Sequence, residues 1–404
     1  MIYIKGKLTI DGYVIDSLAK KFNTPLYCYS YKKLKNNILN FKRQFKKIDP
    51  LICFSVKSNS NTKLLNEIKS FDIGADVVSI GELMKAIKAG IKPNKIVFSG
   101  VGKTPAEIAY AIDKKILLIN AESKNEILEI EKIAKQKLKT VNIGIRLNPN
   151  IDPKTLKQIS TGKKENKFGV SPKIFLQLVK YTNNSNYLNL KCLSVHIGSQ
   201  ILDHKPFEKM LSVIDKIIKK SNFNFEFIDL GGGMGIDYSH TNKILSLKKY
   251  SKSIQNFLDQ KKSKIIFEPG RSLIGNTAIL ISKILYIKKG YKKDFIILDT
   301  AMNDLMRPAL YNASHKIMST KKSNKISKKT YEFVGPICES TDRFATIKNF
   351  NTLNEKEYVI ICDVGAYGTS LSSNYNVRPK PAELLIKASK VNVIKKRQKL
   401  SELM

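Results

Sequence analysis

LICFSVKSNSN, residues 51–61, is an apolar, β-branched run of strand length that ends in a lysine and a polar turn. Seven further runs of the same kind follow: ADVVS (75–79), KIVFS (95–99), ILLI (116–119), VNIGIRL (141–147), KCLSVH (191–196), FEFIDL (225–230) and KIIFE (264–268). Between them lie segments with helical spacing, among them NTKLLNEIKS (61–70), IGELMKAIKAG (80–90), TPAEIAYAID (104–113), AESKNEILEIEKIAKQ (121–136), SPKIFLQLVKY (171–181), PFEKMLSVIDKIIKK (206–220) and ILSLKKYSKSIQNFLD (244–259). Several open on Ser, Asn, Pro or an early Glu, as helix starts do. Eight apolar strands alternating with helices meet the requirement of a (β/α)8 TIM barrel, whose parallel strands are buried on both faces. The barrel is expected over residues 30–275.

Beyond it the rhythm changes. TAILISKILYI (277–287), DFIILDT (294–300), YEFVGPI (331–337), EYVIICDV (357–364) and AELLIKASKVNVI (382–394) read as strands without comparable helices. They predict a second, mostly antiparallel β domain, formed by residues 276–404 with residues 1–29, to which KLTIDGYVIDSL (7–18) adds a strand. The basic stretch at 314–330 reads as a solvated loop, and the long polar segment at 148–169 as a mobile flap.

Composition narrows the function. Hydrophobic residues make up 42% of the 404, enough to build cores. No apolar run reaches the roughly 20 residues that span a bilayer, and the first residues lack the pattern of a signal peptide. The five cysteines are dispersed and form no CxxC pair, which fits reduced thiols in a cytoplasmic setting and no metal site. The balance of 71 basic against 34 acidic residues gives +37, a charge that attracts polyanions. However, only seven of the basic residues are Arg, and the lysines are spread along the chain. This argues against a nucleic-acid reader and makes each Arg a candidate for a two-pronged carboxylate contact.

In barrels of this kind the chemistry sits at the carboxyl ends of the strands. Those positions here hold Lys57, Asp76 with Glu82 close by, Arg146, His196, the run Gly231, Gly232 and Gly233, and the EPGR segment from Glu268 to Arg271. A lone lysine or histidine is ordinarily a solvated amine or a structural imidazole. At a shared mouth, though, a lysine amine, an imidazole face, a glycine cradle and a carboxylate together suit pyridoxal phosphate: the lysine for a Schiff base, the glycines for the phosphate, the acid for the ring nitrogen. The glycine run does not match GxGxxG, so a dinucleotide is not supported.

The sequence resembles the diaminopimelate decarboxylases of the alanine-racemase-like class of pyridoxal-phosphate enzymes. The likeness covers nearly the whole chain and is carried by SVKSNSN, GADVVSIGEL, NKFG, VHIGSQ, DLGGGMG, EPGR, MNDLMRPALYNASH, VGPICES, GAYG and RPKPAE. It implies a barrel plus β domain working as a homodimer with active sites at the subunit interface, acting on an amino acid. Lys57 would carry the cofactor, His196 stack on its ring and Glu268 pair with its pyridine nitrogen. Its phosphate would be held by Gly231, Gly232, Gly233, Gly270, Arg271 and Tyr367. Arg271, Arg307, Tyr311 and Tyr367 would bind substrate, Glu339 would receive its distal ammonium, and Cys338 of the partner would donate the proton that replaces carbon dioxide.

The implied reaction is decarboxylation of meso-2,6-diaminopimelate to L-lysine, the last step of lysine biosynthesis. Arg307 and Tyr311 favour a substrate with a distal carboxylate over those of the carboxynorspermidine, ornithine or arginine decarboxylases, because a cationic fork would otherwise stay unpaired. The competing reading from another class is a basic nucleic-acid-binding protein on a barrel scaffold.

Overall fold

The structure, a computed structural model, describes residues 1–259 and 261–404. The chain forms two compact units: Ile38–Ile236 with Lys243–Ser272, and Met1–Asn37 with Asp237–Asn242 and Leu273–Met404. The first unit is a closed parallel barrel whose strands follow one another in chain order: Leu51–Ser55, Gly74–Val77, Ile96–Phe98, Leu118–Ala121, Val141–Arg146, Leu188–Ser194, Phe227–Asp229 and Lys264–Phe267. All eight apolar runs became barrel strands, and the last closes on the first through the Ile266–Leu51 register. The intervening helices begin where polar side chains satisfy their first amides: Asn61, Ser79, Thr104, Ser123, Ser171 and Ser246 each accept a backbone N–H at the helix start.

Inside the barrel, a period of two governs what faces the axis. Cys53, Val97, Leu118, Cys192, Phe227 and Ile266 form one apolar cluster. Two residues further along the chain, towards the carboxyl ends, come Ser55, Ser99, Asn120, Ser194, Asp229 and Glu268, all buried. The interior therefore changes from a dry layer to a polar one across a single inward step. Buried polar groups need partners, and here they find one another. Ser55 Oγ donates to Asp76 Oδ2 (2.8 Å), Asn120 Nδ2 to Asp229 Oδ2 (3.0 Å) and to Ser99 Oγ (3.3 Å), and Ser194 Oγ to Asp229 Oδ2 (3.1 Å).

The second unit is built on a nine-stranded mixed sheet in which antiparallel pairings predominate. Its long strand Ala278–Lys288 pairs with Lys293–Leu298, Tyr358–Ile361 and Leu26–Ser30. The amino-terminal strand that enters this sheet is thus Leu26–Ser30, fully buried, and not the KLTI run. Lys7–Ile10 instead pairs with Ile2–Ile4 and Tyr13–Val14 in a separate three-stranded sheet, followed by a helix at Ile15–Phe22. The expected loop at 314–330 also needs correction. It contains the strand Ile317–Ser319, paired with Tyr358–Ile361, and His315 just before it is buried. Ile317 and Ser319 face inward, so alternation held over three residues is enough to anchor a stretch that is otherwise basic and polar.

Candidate active site

Lys57 lies in a short 3-10 turn, Val56–Ser58, directly after the first barrel strand. Its Nζ stands 3.4 Å from Asp76 Oδ2; the lysine is 40% exposed, the aspartate 0%. The other oxygen of that carboxylate, Oδ1, is buried with no hydrogen-bond partner among the described residues. Nearby, Glu82 folds back to accept the Val78 amide (2.9 Å) at its own helix start, and burial pushes its carboxyl up to about 7. At this mouth an amine therefore stands beside one buried carboxylate and one carboxyl whose proton affinity is raised by burial.

Burial, followed by the neighbouring Arg146 and Lys57 cations, holds the His196 imidazole well below its ordinary value, so the ring is neutral. Its Nδ1 accepts the Gly232 amide (3.2 Å), which leaves the proton on Nε2. The glycine run makes this possible. A Cβ on Gly231 would meet His196 Nδ1 at 2.6 Å, and one on Gly232 would meet the Glu268 carbonyl oxygen at 2.2 Å. Gly231 and Gly233 also have φ of +61° and +89°, which side-chain-bearing residues rarely adopt. The glycines thus draw the end of the seventh strand against those of the sixth and eighth. Gly270 does the same beside the first strand, since a Cβ there would lie 2.8 Å from Ser58 Oγ.

Glu268 directly follows the last strand. Burial first, then the Asp229 and Asp76 carboxylates, push its carboxyl far above the usual range. Burial also raises Asp229, but the Gly231 amide (2.9 Å), Asn120 and Ser194 donate to it. The negative charge therefore stays on Asp229, and Glu268, hydrogen-bonded to it, keeps the proton. Arg271 is buried and donates to Ser199 Oγ (3.2 Å).

Arg146 divides its two prongs between a carboxylate and a backbone carbonyl. Its Nη1 pairs with Glu122 Oε1 (2.8 Å), its Nη2 donates to the His196 carbonyl (3.3 Å), and its head lies 4.8 Å from the Phe168 ring centroid. Glu122 also accepts the amides of Gly100 and Gly169 (3.1 and 2.9 Å). The segment 148–169, expected as a flap, is tied back to the barrel end. Thr161 Oγ1 donates to the His196 carbonyl (2.8 Å), and the Ser199 amide donates to the Ile159 carbonyl (3.0 Å).

The barrel mouth thus brings together Lys57, His196, Gly231–Gly233, Glu268, Gly270 and Arg271. Ser55, Ser99, Ser194 and Asp229 went unread because they lie within the apolar runs, and Asn120, the first residue after its run, went unread beside them; the polar residue two places beyond a core residue was their common signal. Glu122 and Ser199 carried no such signal.

In the second unit, Arg307 opens a five-residue helix that ends at Tyr311, one turn away. The guanidinium is buried, 4.4 Å from the Tyr238 ring centroid. Cys338 and Glu339 are exposed, whereas the other four cysteines are buried. Glu339 Oε1 accepts the Tyr375 hydroxyl. Tyr367 is half-buried with φ of +58°, a backbone state its surroundings must enforce.

A family model described as the pyridoxal-binding domain of pyridoxal-dependent decarboxylases matches residues 31–275. The diaminopimelate decarboxylase of Aquifex aeolicus is 40% identical over 402 residues, covering 98% of this chain and 94% of its own. The crystal structure of diaminopimelate decarboxylase from Helicobacter pylori, complexed with L-lysine, superposes with a TM-score of 0.91 at 42% identity, covering 96% of this chain and 98% of that one. With the barrel closed in this order and the likeness running through both units, the chain belongs to the diaminopimelate decarboxylases, pyridoxal-phosphate-dependent carboxy-lyases.

Proposed function

We propose that this enzyme removes carbon dioxide from meso-2,6-diaminopimelate to give L-lysine, using pyridoxal 5′-phosphate held at the barrel mouth. One observation carries the reading: Lys57 shares its mouth with a neutral imidazole and a buried carboxyl that retains a proton. The residues fit the cofactor, because the unpartnered Asp76 Oδ1 and the neutral His196 ring are what a bound polar heteroaromatic group would engage. Lys57 would hold it through its amine, His196 would present a ring face, and Glu268 would pair with the pyridine nitrogen. Gly231–Gly233, Gly270, Arg271 and Tyr367 are assigned to the phosphate. When bound, the cofactor supplies the electron sink that makes loss of carbon dioxide from an amino acid feasible.

The chain's own groups do the rest. Asp76 holds its carboxylate beside the Lys57 amine. Arg146, anchored by Glu122, fixes the backbone of His196. Arg307 and Tyr311, with Arg271, receive carboxylate, and Glu339 receives the distal ammonium. The exposure of Cys338 and Glu339 supports their acting on the partner subunit of a homodimer, with Cys338 returning a proton to the carbon that lost carbon dioxide. Free cysteines and the lack, among described residues, of any helix long and apolar enough to cross a membrane support a cytoplasmic setting for the same proposal.

Competition tests the substrate. Offered meso-diaminopimelate and ornithine together, the holoenzyme should consume the former, and Arg307→Ala should raise its KM at least about tenfold. Preference for ornithine would overturn the assignment. The shared site makes a second prediction. Cys338→Ala should lower kcat by about 10²-fold or more, the scale of a lost general acid, and leave the cofactor band intact. Mixing Cys338→Ala with Lys57→Ala subunits should then recover part of the activity in heterodimers. No recovery in proven heterodimers counts against sharing.

A further inference from the structure

Arg307 is held by groups that the proposed reaction does not use. Its Nη1 lies 2.7 Å from His315 Nε2, and both residues are buried. A guanidinium can only donate, so Nε2 must carry the lone pair. The other ring nitrogen, Nδ1, lies 2.7 Å from the Cys362 carbonyl oxygen, which can only accept, so Nδ1 carries the hydrogen. Opposed partners at the two nitrogens thus define a single form of the ring, the neutral Nδ1–H tautomer.

The fold sets both distances. Strand Ile317–Ser319 pairs with Tyr358–Ile361 in the register Ile317–Ile361, and the Cys362 amide donates to the Lys316 carbonyl (2.8 Å). This lays His315 against Cys362. The residues between Arg307 and His315 make one short helix and a left-handed turn at Asn312, which bring the imidazole back to the guanidinium. Tyr238 completes the holder, with its ring under Arg307 and edge-on to His315 at 5.2 Å.

We infer that His315 is a positioning residue for substrate recognition: its Nε2 lone pair and the Tyr238 face fix the orientation in which the Arg307 guanidinium meets the substrate's distal carboxylate. This rests on the reading of Arg307 as the receiver of that carboxylate. A flexible arginine would have to be ordered anew each time substrate binds, and that entropy would come out of affinity, not out of the chemical step.

Two amide variants separate the functions of the two ring nitrogens. Asn at 315 can keep the donor to Cys362 but is too short for Arg307, whereas Gln can reach Arg307 with its carbonyl oxygen and gives up the Cys362 contact. In holoenzyme assays His315→Asn should raise KM for meso-diaminopimelate about tenfold to a hundredfold, with kcat changed less than about threefold. His315→Gln should stay within about threefold of wild type in both. Equal effects of the two variants, or a fall in kcat with KM unchanged, would overturn the inference. Arg307→Ala separates the two levels: if it leaves KM unchanged, the substrate reading fails, but if it raises KM and His315→Asn does not, only the role of His315 fails. The wild type gives a further check without any variant. Its four histidines can be resolved in a ¹⁵N-histidine spectrum of the holoenzyme, which should contain a neutral Nδ1–H ring; absence of that tautomer overturns the inference.

Discussion

Lys57→Ala should abolish turnover, by at least about 10⁴-fold, the scale of losing a covalent catalytic group. The purified variant should also lack the absorption band above the protein region that the wild type acquires with pyridoxal phosphate. Borohydride treatment of wild type should leave the cofactor permanently attached, with the mass increment on the peptide containing Lys57. The reason is local. The first barrel strand ends at Ser55, the chain turns tightly over Val56–Ser58, and the Lys57 amine stands 3.4 Å from the buried Asp76. An amine so placed is held at the mouth, while its exposure leaves it accessible to an aldehyde. Activity within tenfold of wild type in the variant, or a label on any other lysine, would remove the basis for the proposed function.

Glu268→Gln should lower kcat by about 10²- to 10³-fold while the protein still folds and still takes up cofactor, the magnitude found when one preorganised electrostatic contact is removed. Glutamine keeps the size of the side chain and its reach to Ser99, but it cannot exchange a proton. In the wild type, burial and the Asp229 charge give Glu268 a high proton affinity, so a proton is available at that position near neutral pH. The variant deletes that proton and the charge left when it moves. A kcat within threefold of wild type would mean that the pair does not act on the ring. A variant that folds but binds no cofactor would point to a role in binding and not in turnover.

The two residues behind these predictions were equally legible, but the carboxylate that acts on one of them was not. Lys57 was found because it directly follows an apolar run, and in a parallel barrel the residue after a strand is at the mouth wherever the other strands lie. Glu268 was found for the same reason. The carboxylate that controls its proton, Asp229, was hidden inside FEFIDL, where one acidic residue among apolar neighbours reads as part of a strand. Both faces of such a strand are buried, so composition does not say which parity faces the axis. The three-residue strand Ile317–Ser319 and the edge strand Arg343–Ile347 also went unread. The first lies in a lysine-rich stretch, and in the second only Phe344 is buried, so neither shows an apolar run.

By itself, the sequence determined the number and order of the barrel strands, the helix starts between them and the residues at the strand ends, because these depend on burial patterns and capping within a few neighbouring residues. Tertiary structure alone decided which groups share protons and charge: Glu268 with Asp229, Arg146 with Glu122, Arg307 with His315. Hydrogen bonds and Coulomb forces act over a few ångströms of space whatever the separation along the chain, and those distances exist only once the barrel has closed and the strands of the second sheet have found their register.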